Sequence, residues 1–352
     1  MSLEEARARF PVLDHLAYLN AGTFGPLACE TADAMAAEGR RDLELGRLGK
    51  EWFERVLALR EEARTELGAL VGVGPERVAL TSSTTDGCNI VLAGLGLTPE
   101  DEIVTTTDEH FGLLGPLHAS GARIVVTAPD PDAILAAVTP RTRLLALSHV
   151  LWTTGAVLPV EELKARSGVP VLVDGAQSAG AMAVDASSAD FYTLSGQKWL
   201  CGPDSTGALV VGEPERLRVA APSYFGQAAY EPTGDFESRS GAARFEPGWH
   251  SAGSLAGLLA ALRVPPDWRW ERARRAAATC RERLATRVDV VTPAGQAGLV
   301  SFRVDGETPV EATARLAAAG IVVRDIPHTD LVRASCGWWT SDEDIERLVE
   351  AV

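Results

Sequence analysis

Between residues 77 and 212 the chain repeats one pattern. Short apolar runs that do not alternate with polar residues are separated by helical stretches or turns. RVALT, DEIVTTT, ARIVVT, RLLALSHV and VPVLVDG are such runs, with TDGCNIVLAGL and VEELKARS among the helical stretches between them. A strand with one wet face alternates apolar and polar residues; a run without that alternation is covered on both faces. Strands of this kind separated by helices predict a mostly parallel sheet sandwiched between helical layers. In such sheets ligands bind at the carboxyl ends of the strands.

The flanks read differently. Residues 29 to 71 form two helices rich in Ala, Glu, Arg and Leu. Residues 219 to 255 carry many Gly, Pro and Ser and read as long functional loops. The last hundred residues resume as helix (272–287), strand (GLVSFRV), helix (309–319), strands IVVR and LVRAS, and a closing helix from Ser341. That is an α+β module of its own, and the N-terminal segment is expected to pack with it.

Charge narrows the partners. The 352 residues carry a formal net charge of −15, a surface that repels phosphate backbones, so neither nucleic acid nor an anionic membrane is expected to bind. Any anion must be held by a local cluster of donors. No apolar run approaches the length of a membrane span, and MSLEEARARF lacks the apolar stretch of a signal peptide. The five cysteines, Cys29, Cys88, Cys201, Cys280 and Cys336, are scattered and show no CxxC spacing. They read as free thiols of a cytoplasmic protein with no metal site.

Chemistry-bearing residues fall at strand ends. DFYTLSGQKWLCGP begins as a buried strand, breaks at Ser195-Gly196 and presents Lys198. A lysine there ordinarily snorkels to the surface. VPVLVDGAQSAG puts Asp174 directly after an apolar strand, with Gln177 close behind; Asp-Gly there is also a common turn. TSSTTDGCN sets Ser83, Thr84 and Thr85 where a strand becomes a helix, a place for an anion or for an ordinary N-cap. TTTDEHFG sets His110 past another strand. Together the strand ends offer a phosphate cradle, an aromatic ring, a carboxylate and an amine. Pyridoxal 5′-phosphate (PLP) needs that set: a phosphate, a flat ring, a ring nitrogen that works best protonated, and an aldehyde that condenses with lysine.

The order TSSTTDGCN, DEH, VDGAQSAG, SGQKW and, near the end, RAS is similar to that of class V aminotransferase-fold PLP enzymes, the fold-type I group that includes the cysteine desulfurases. Within that group the chain most resembles the cystine/cysteine C–S lyases, through GCNIVLAGL, SHVLWTTG, KWLCGP, QAGLVSF and VVRDIPHTDLVRASCGWWTSDEDI. The resemblance implies an α/β protein of the PLP-dependent transferase fold type I. Its large domain, 20–250, would hold a mostly parallel seven-stranded sheet between helices. Residues 1–19 and 251–352 would form a smaller α+β domain. It further implies that Lys198 carries the cofactor, that Asp174 pairs with the pyridine nitrogen and that Gln177 contacts the ring hydroxyl. His110 would stack on the ring, and Thr84, Thr85, Ser195 and Gln197 would take the phosphate. Arg333 would grip the substrate α-carboxylate, with Arg324 as a second carboxylate or substrate-loop contact. The family forms homodimers with active sites at the subunit boundary.

The chain departs from that pattern in three places. The family usually reads GHK where this chain has Gly196-Gln197-Lys198. RFEPGWH puts Trp249 where a threonine often reaches the neighbouring subunit's phosphate. The desulfurases need a nucleophilic cysteine in the loop before the RAS strand, and here that loop reads RDIPHTDLV. Cys201 and Cys336 flank other motifs and read as packing residues. The expected activity is therefore PLP-dependent β-elimination on cystine, cysteine or a related sulfur amino acid, giving pyruvate, ammonia and a persulfide or sulfide. Aminotransfer on a small amino acid, and an epimerase or hydrolase of the same fold, stand as alternatives.

Overall fold

The computed structural model describes residues 1–295 and 297–352; Gln296, the first residue of the QAGLVSF stretch, lies outside the described residues. The apolar runs assemble into one seven-stranded sheet. Its spatial order is Val78–Thr81, Gly207–Val211, Phe191–Ser195, Val171–Asp174, Thr142–Ser148, Glu102–Thr106, Arg123–Thr127. Gly207–Val211 runs antiparallel to both neighbours, and the other strands share one direction. Consecutive residues go to opposite faces, as the pleat requires. Leu145, Leu147, Val171 and Val173 join one core cluster, while Leu144, Ala146 and Leu172 join the other. Both clusters are sealed by helices, Gly49–Leu70 on the first and Thr84–Leu95 with Phe111–Ala119 on the second.

The C-terminal module is a four-stranded antiparallel sheet, Asp289–Val290, Leu299–Arg303, Val332–Ser335 and Arg324–Asp325. Helices Arg269–Leu284, Pro309–Ala318 and Asp342–Glu350 cover it. Ala17–Tyr18 of the N-terminal segment pairs in parallel with Ile321–Val322, and Ala17 and Leu19 enter this module's core. The helix Ala252–Arg263 lies on the other side of the boundary expected at 251. Its Leu255, Leu258 and Leu259 bury themselves in the large-sheet core against the helices Cys29–Leu45 and Gly49–Leu70.

Candidate active site

Six strands share one direction and end at the same edge of the large sheet, and residues at or just past the ends of five of them enclose a cleft of 190 Å³. Lys198, Asp174, His110 and Gln177 line it, and so do Thr84, Thr85, Ser195 and Gln197. Arg333 and Arg324 do not line the cleft itself. They face each other across the Arg324–Asp325/Val332–Ser335 pairing in the small module. Arg333 is buried and near enough to the cleft that its charge acts on Lys198.

The lysine is displayed by a tight loop. The Gly196 N–H donates to Thr206 O (2.7 Å), Gly202 N–H donates to Gly196 O (2.8 Å), and Cys201 takes the left-handed conformation at φ 55°. A Cβ on Gly196 would stand 2.1 Å from Thr206 Oγ1, so the turn needs glycine there. Burial pushes the Lys198 amine below the ordinary lysine pKa; Arg333 adds to this, and Asp174 opposes it. An amine of lowered pKa is neutral, hence nucleophilic and basic, for more of the time.

Asp174 is buried at its strand end, and its Oδ1 accepts a hydrogen bond from Ala176 N (2.8 Å). His110 is the N-cap of Phe111–Ala119, its Nδ1 accepting from Gly112 N (3.0 Å). In the neutral ring the proton is therefore on Nε2. Desolvation, with Lys198 adding to it and Asp174 opposing it, lowers the His110 pKa and so disfavours the imidazolium. Gln177 is more constrained than its sequence position suggests. Its Nε2 donates to Gly22 O (2.9 Å), and its Oε1 accepts from the indole N–H of buried Trp199 (2.9 Å). One Nε2 proton remains for a ring hydroxyl.

Anion donors gather at the start of Thr84–Leu95. Ser83 Oγ caps Asp86 N–H (3.1 Å), and Thr84 N–H donates to Ser195 Oγ (3.3 Å), which leaves the Ser195 hydroxyl proton free to face an anion. The unsatisfied N–H groups and dipole of this 12-residue helix favour negative charge there. Gln197 lines the cleft with its Oε1 buried and unpartnered, and its Nε2, the donor end of the amide, suits an acceptor there. A carboxylate, an amine of lowered pKa, hydroxyl donors at a helix N-terminus and one unsatisfied amide fit PLP. Apart from Lys198, no cation lines the cleft among the described residues, so the phosphate donors are neutral.

Residues 40–348 match the family model described as aminotransferase class-V. The chain belongs to the class-V aminotransferase family. It is 30% identical to isopenicillin N epimerase of Streptomyces clavuligerus, across 99% of this chain and 97% of the relative. It is 29% identical to the cysteine desulfurase CsdA of Escherichia coli, across 98% and 96%. Among solved structures it superposes on the cystine C–S lyase C-DES, in complex with cysteine persulfide, with a TM-score of 0.90 and 30% identity, covering 97% of this chain and 98% of the other. This class-V enzyme has the α/β fold of those neighbours, and its cofactor is PLP.

Two residues at or beneath the cleft of this class-V chain, Glu109 and Trp152, are not singled out by the sequence. Glu109, within the DEH triplet, is buried under the cleft floor. It accepts from Thr106 Oγ1 (2.8 Å), Ser148 Oγ (2.5 Å) and Ser148 N (3.0 Å). Burial, helped by Asp174, raises its carboxyl pKa to about 7. Trp152 lines the cleft from the SHVLWTTG stretch. Trp249 is exposed and stacks on Trp52 and Tyr224, away from the cleft lining. Cys201 and Cys336 are buried, and their thiol pKa values lie well above the ordinary range, Cys201's through burial and Cys336's through contact with Cys280 and burial. No cysteine lines the cleft among the described residues.

Proposed function

We propose that the protein is a C–S lyase that breaks the Cβ–S bond of cystine or a related sulfur amino acid by β-elimination. The observation that carries this reading is a cleft with a lysine amine of lowered pKa beside a buried carboxylate and, among the described residues, no thiol in its wall. Bound there, PLP supplies the electron sink that makes a Cα proton of an amino acid removable. Lys198 holds the cofactor and, once released, takes that proton at its amine nitrogen. Asp174 holds the positive charge of the ring nitrogen, His110 covers the ring, and Gln177 donates to the ring hydroxyl. Thr84, Thr85, Ser195 and Gln197 hold the phosphate. Arg333 grips the α-carboxylate as a planar fork, and Arg324 stands beside it for a second carboxylate or for the substrate loop.

The proton goes to the Lys198 amine, the electron pair of the Cα–H bond forms a Cα–Cβ double bond, and sulfur leaves with the pair of the broken Cβ–S bond. Water then converts the released enamine to pyruvate and ammonia. Cystine releases a persulfide, a better leaving group than the hydrosulfide from cysteine. Disulfide substrates are therefore preferred. A desulfurase, which forms a persulfide on a cysteine of its own, is disfavoured because the RDIPHTDLV loop carries no cysteine. The protein acts as a cytoplasmic homodimer in this reading. The exposed aromatic face of Trp249 and Tyr224 supports self-association, and five free cysteines support a reducing compartment.

The likeness to isopenicillin N epimerase favours a second reading, in which the Cα proton is removed and returned on the opposite face. Incubation with a panel of sulfur amino acids, with pyruvate, sulfane sulfur and pyridoxamine phosphate all measured, separates the possibilities. Pyruvate and persulfide in equal amounts support the lyase. Pyridoxamine phosphate points to aminotransfer. Loss of optical activity without pyruvate points to epimerisation.

A further inference from the structure

The loop that follows Thr142–Ser148 is a compact hairpin. Val150 bridges Val157, Leu151 N–H donates to Ala156 O (2.8 Å), and Gly155 N–H donates to Leu151 O (2.8 Å). Its tip is held from the small module. Three successive carbonyls there accept side-chain donors: Trp152 O from Arg333 Nη1 (2.7 Å), Thr153 O from Ser301 Oγ (2.5 Å) and Thr154 O from Thr292 Oγ1 (2.6 Å). Thr153 Oγ1 turns the other way and donates to Asp108 Oδ2 (3.0 Å), two residues before His110. A Cβ on Gly155 would stand 2.8 Å from Leu299 O, so the tip sits hard against the small-module sheet.

Trp152 lies at the crossing of these contacts. Its carbonyl takes one arm of the Arg333 guanidinium, while its indole meets His110 edge to face, with centroids 5.0 Å apart and planes at 86°. The same indole lines the cleft that holds Lys198. The neighbouring Arg333 Nε is buried without a hydrogen-bond partner. We propose that Trp152 is the positioning residue that sets the carboxylate grip of Arg333 and the ring cover of His110 together. It acts as the shared wall between the two modules. A substrate without an α-carboxylate gains nothing from this wall. One with a carboxylate is held while His110 is pressed into place.

The inference rests on Arg333 taking the α-carboxylate and on PLP being held at Lys198, but not on C–S cleavage. Glycine has no Cβ leaving group, so it binds without eliminating. The test is binding of glycine and of glycinamide to the PLP-loaded protein, followed by the change in the cofactor's absorption band. The proteins compared are wild type, Trp152→Phe, Trp152→Leu, Trp152→Ala and Arg333→Lys. Phenylalanine keeps an edge-to-face ring, leucine fills volume without one, and all keep the backbone carbonyl. Without the indole against His110 the hairpin tip, and with it the Trp152 carbonyl that orients Arg333, is less fixed, so Trp152→Leu and Trp152→Ala are expected to lose about five-fold of the preference for glycine, the equilibrium factor that one aromatic contact supplies. Their cofactor band in the absence of ligand is expected to shift as well, with Trp152→Phe staying near wild type in both respects. Trp152→Leu keeps the test available if the alanine variant does not fold. Unchanged preference and an unchanged band in the leucine variant, with the preference lost in Arg333→Lys, would overturn the role of Trp152 alone. Preference retained in Arg333→Lys would instead remove the carboxylate assignment on which the inference rests.

Discussion

Replacing Glu109 with glutamine is expected to change the pH dependence of stability in a defined direction. Glu109 is buried beneath the cleft and its carboxyl pKa is raised from 4.5 to about 7 by burial, with Asp174 adding to it. The folded protein therefore holds this proton across a pH range in which the unfolded chain has released it. The stabilisation is complete below the unfolded pKa and is lost as pH rises through about 7. Each factor of ten in proton affinity is worth about 1.4 kcal/mol, so full ionisation costs on the order of 3 kcal/mol. Roughly 2.5 kcal/mol of that is lost between pH 5 and pH 8. Glutamine has the same shape and cannot ionise. It keeps one acceptor for Ser148 and Thr106, at a cost that does not vary with pH. Urea unfolding of both proteins at saturating PLP, at pH 5 and at pH 8, isolates the effect, because all other titrating groups are shared. Wild type should lose stability relative to Glu109→Gln by roughly 2 to 3 kcal/mol over that interval. Parallel pH curves for the two proteins would show that Glu109 is already ionised at pH 5 and that its three hydrogen bonds outweigh burial.

Asp174→Asn should keep the fold and lose at least about 100-fold in turnover, because an amide cannot hold the ring nitrogen protonated by charge; steady-state kinetics on the best sulfur substrate check this, and near-wild-type rates would remove Asp174 from the role. The Cys201→Ser, Cys336→Ser double variant should be less stable by roughly 1–3 kcal/mol per buried hydroxyl yet retain turnover at permissive temperature, and persulfide trapped on either residue in wild type would point to a desulfurase. Arg333→Lys should weaken substrate binding and slow proton removal together, by about 1.5–3 kcal/mol for a lost charged hydrogen bond; equal discrimination between a substrate and its carboxamide in wild type would refute the assignment.

The sheet was legible because each of its central strands carries its own evidence. Leu144 to Leu147, and Val171 to Val173, are apolar on both faces and admit no half-exposed strand. That Lys198, Asp174 and His110 gather at one cleft was legible because each follows a strand of the same sheet, and ligands of such sheets bind at the strands' carboxyl ends. The helix Ala252–Arg263 was not legible as part of the large unit. Its sequence states an apolar face, while the partner it buries against is fixed by contacts with residues such as Met35 and Pro203, which close on Gly257 from far along the chain. Glu109 and Trp152 were hidden for the same reason. A carboxyl raised to about 7 and a tryptophan shared by Arg333 and His110 are properties of side chains that approach from separate strands. Gln177 shows the intermediate case: its position beside Asp174 could be read, but its two hydrogen bonds to Gly22 and Trp199 could not.

The central claim is that cofactor chemistry runs through the amine of Lys198. Borohydride reduction of the purified PLP-loaded protein, followed by proteolysis and mass spectrometry, tests it most directly. A single pyridoxyl-modified peptide containing Gln197-Lys198-Trp199 is the predicted result, with no modified peptide in Lys198→Ala. Modification of Lys50 or Lys164 in place of Lys198, or of no lysine at all, would contradict the account.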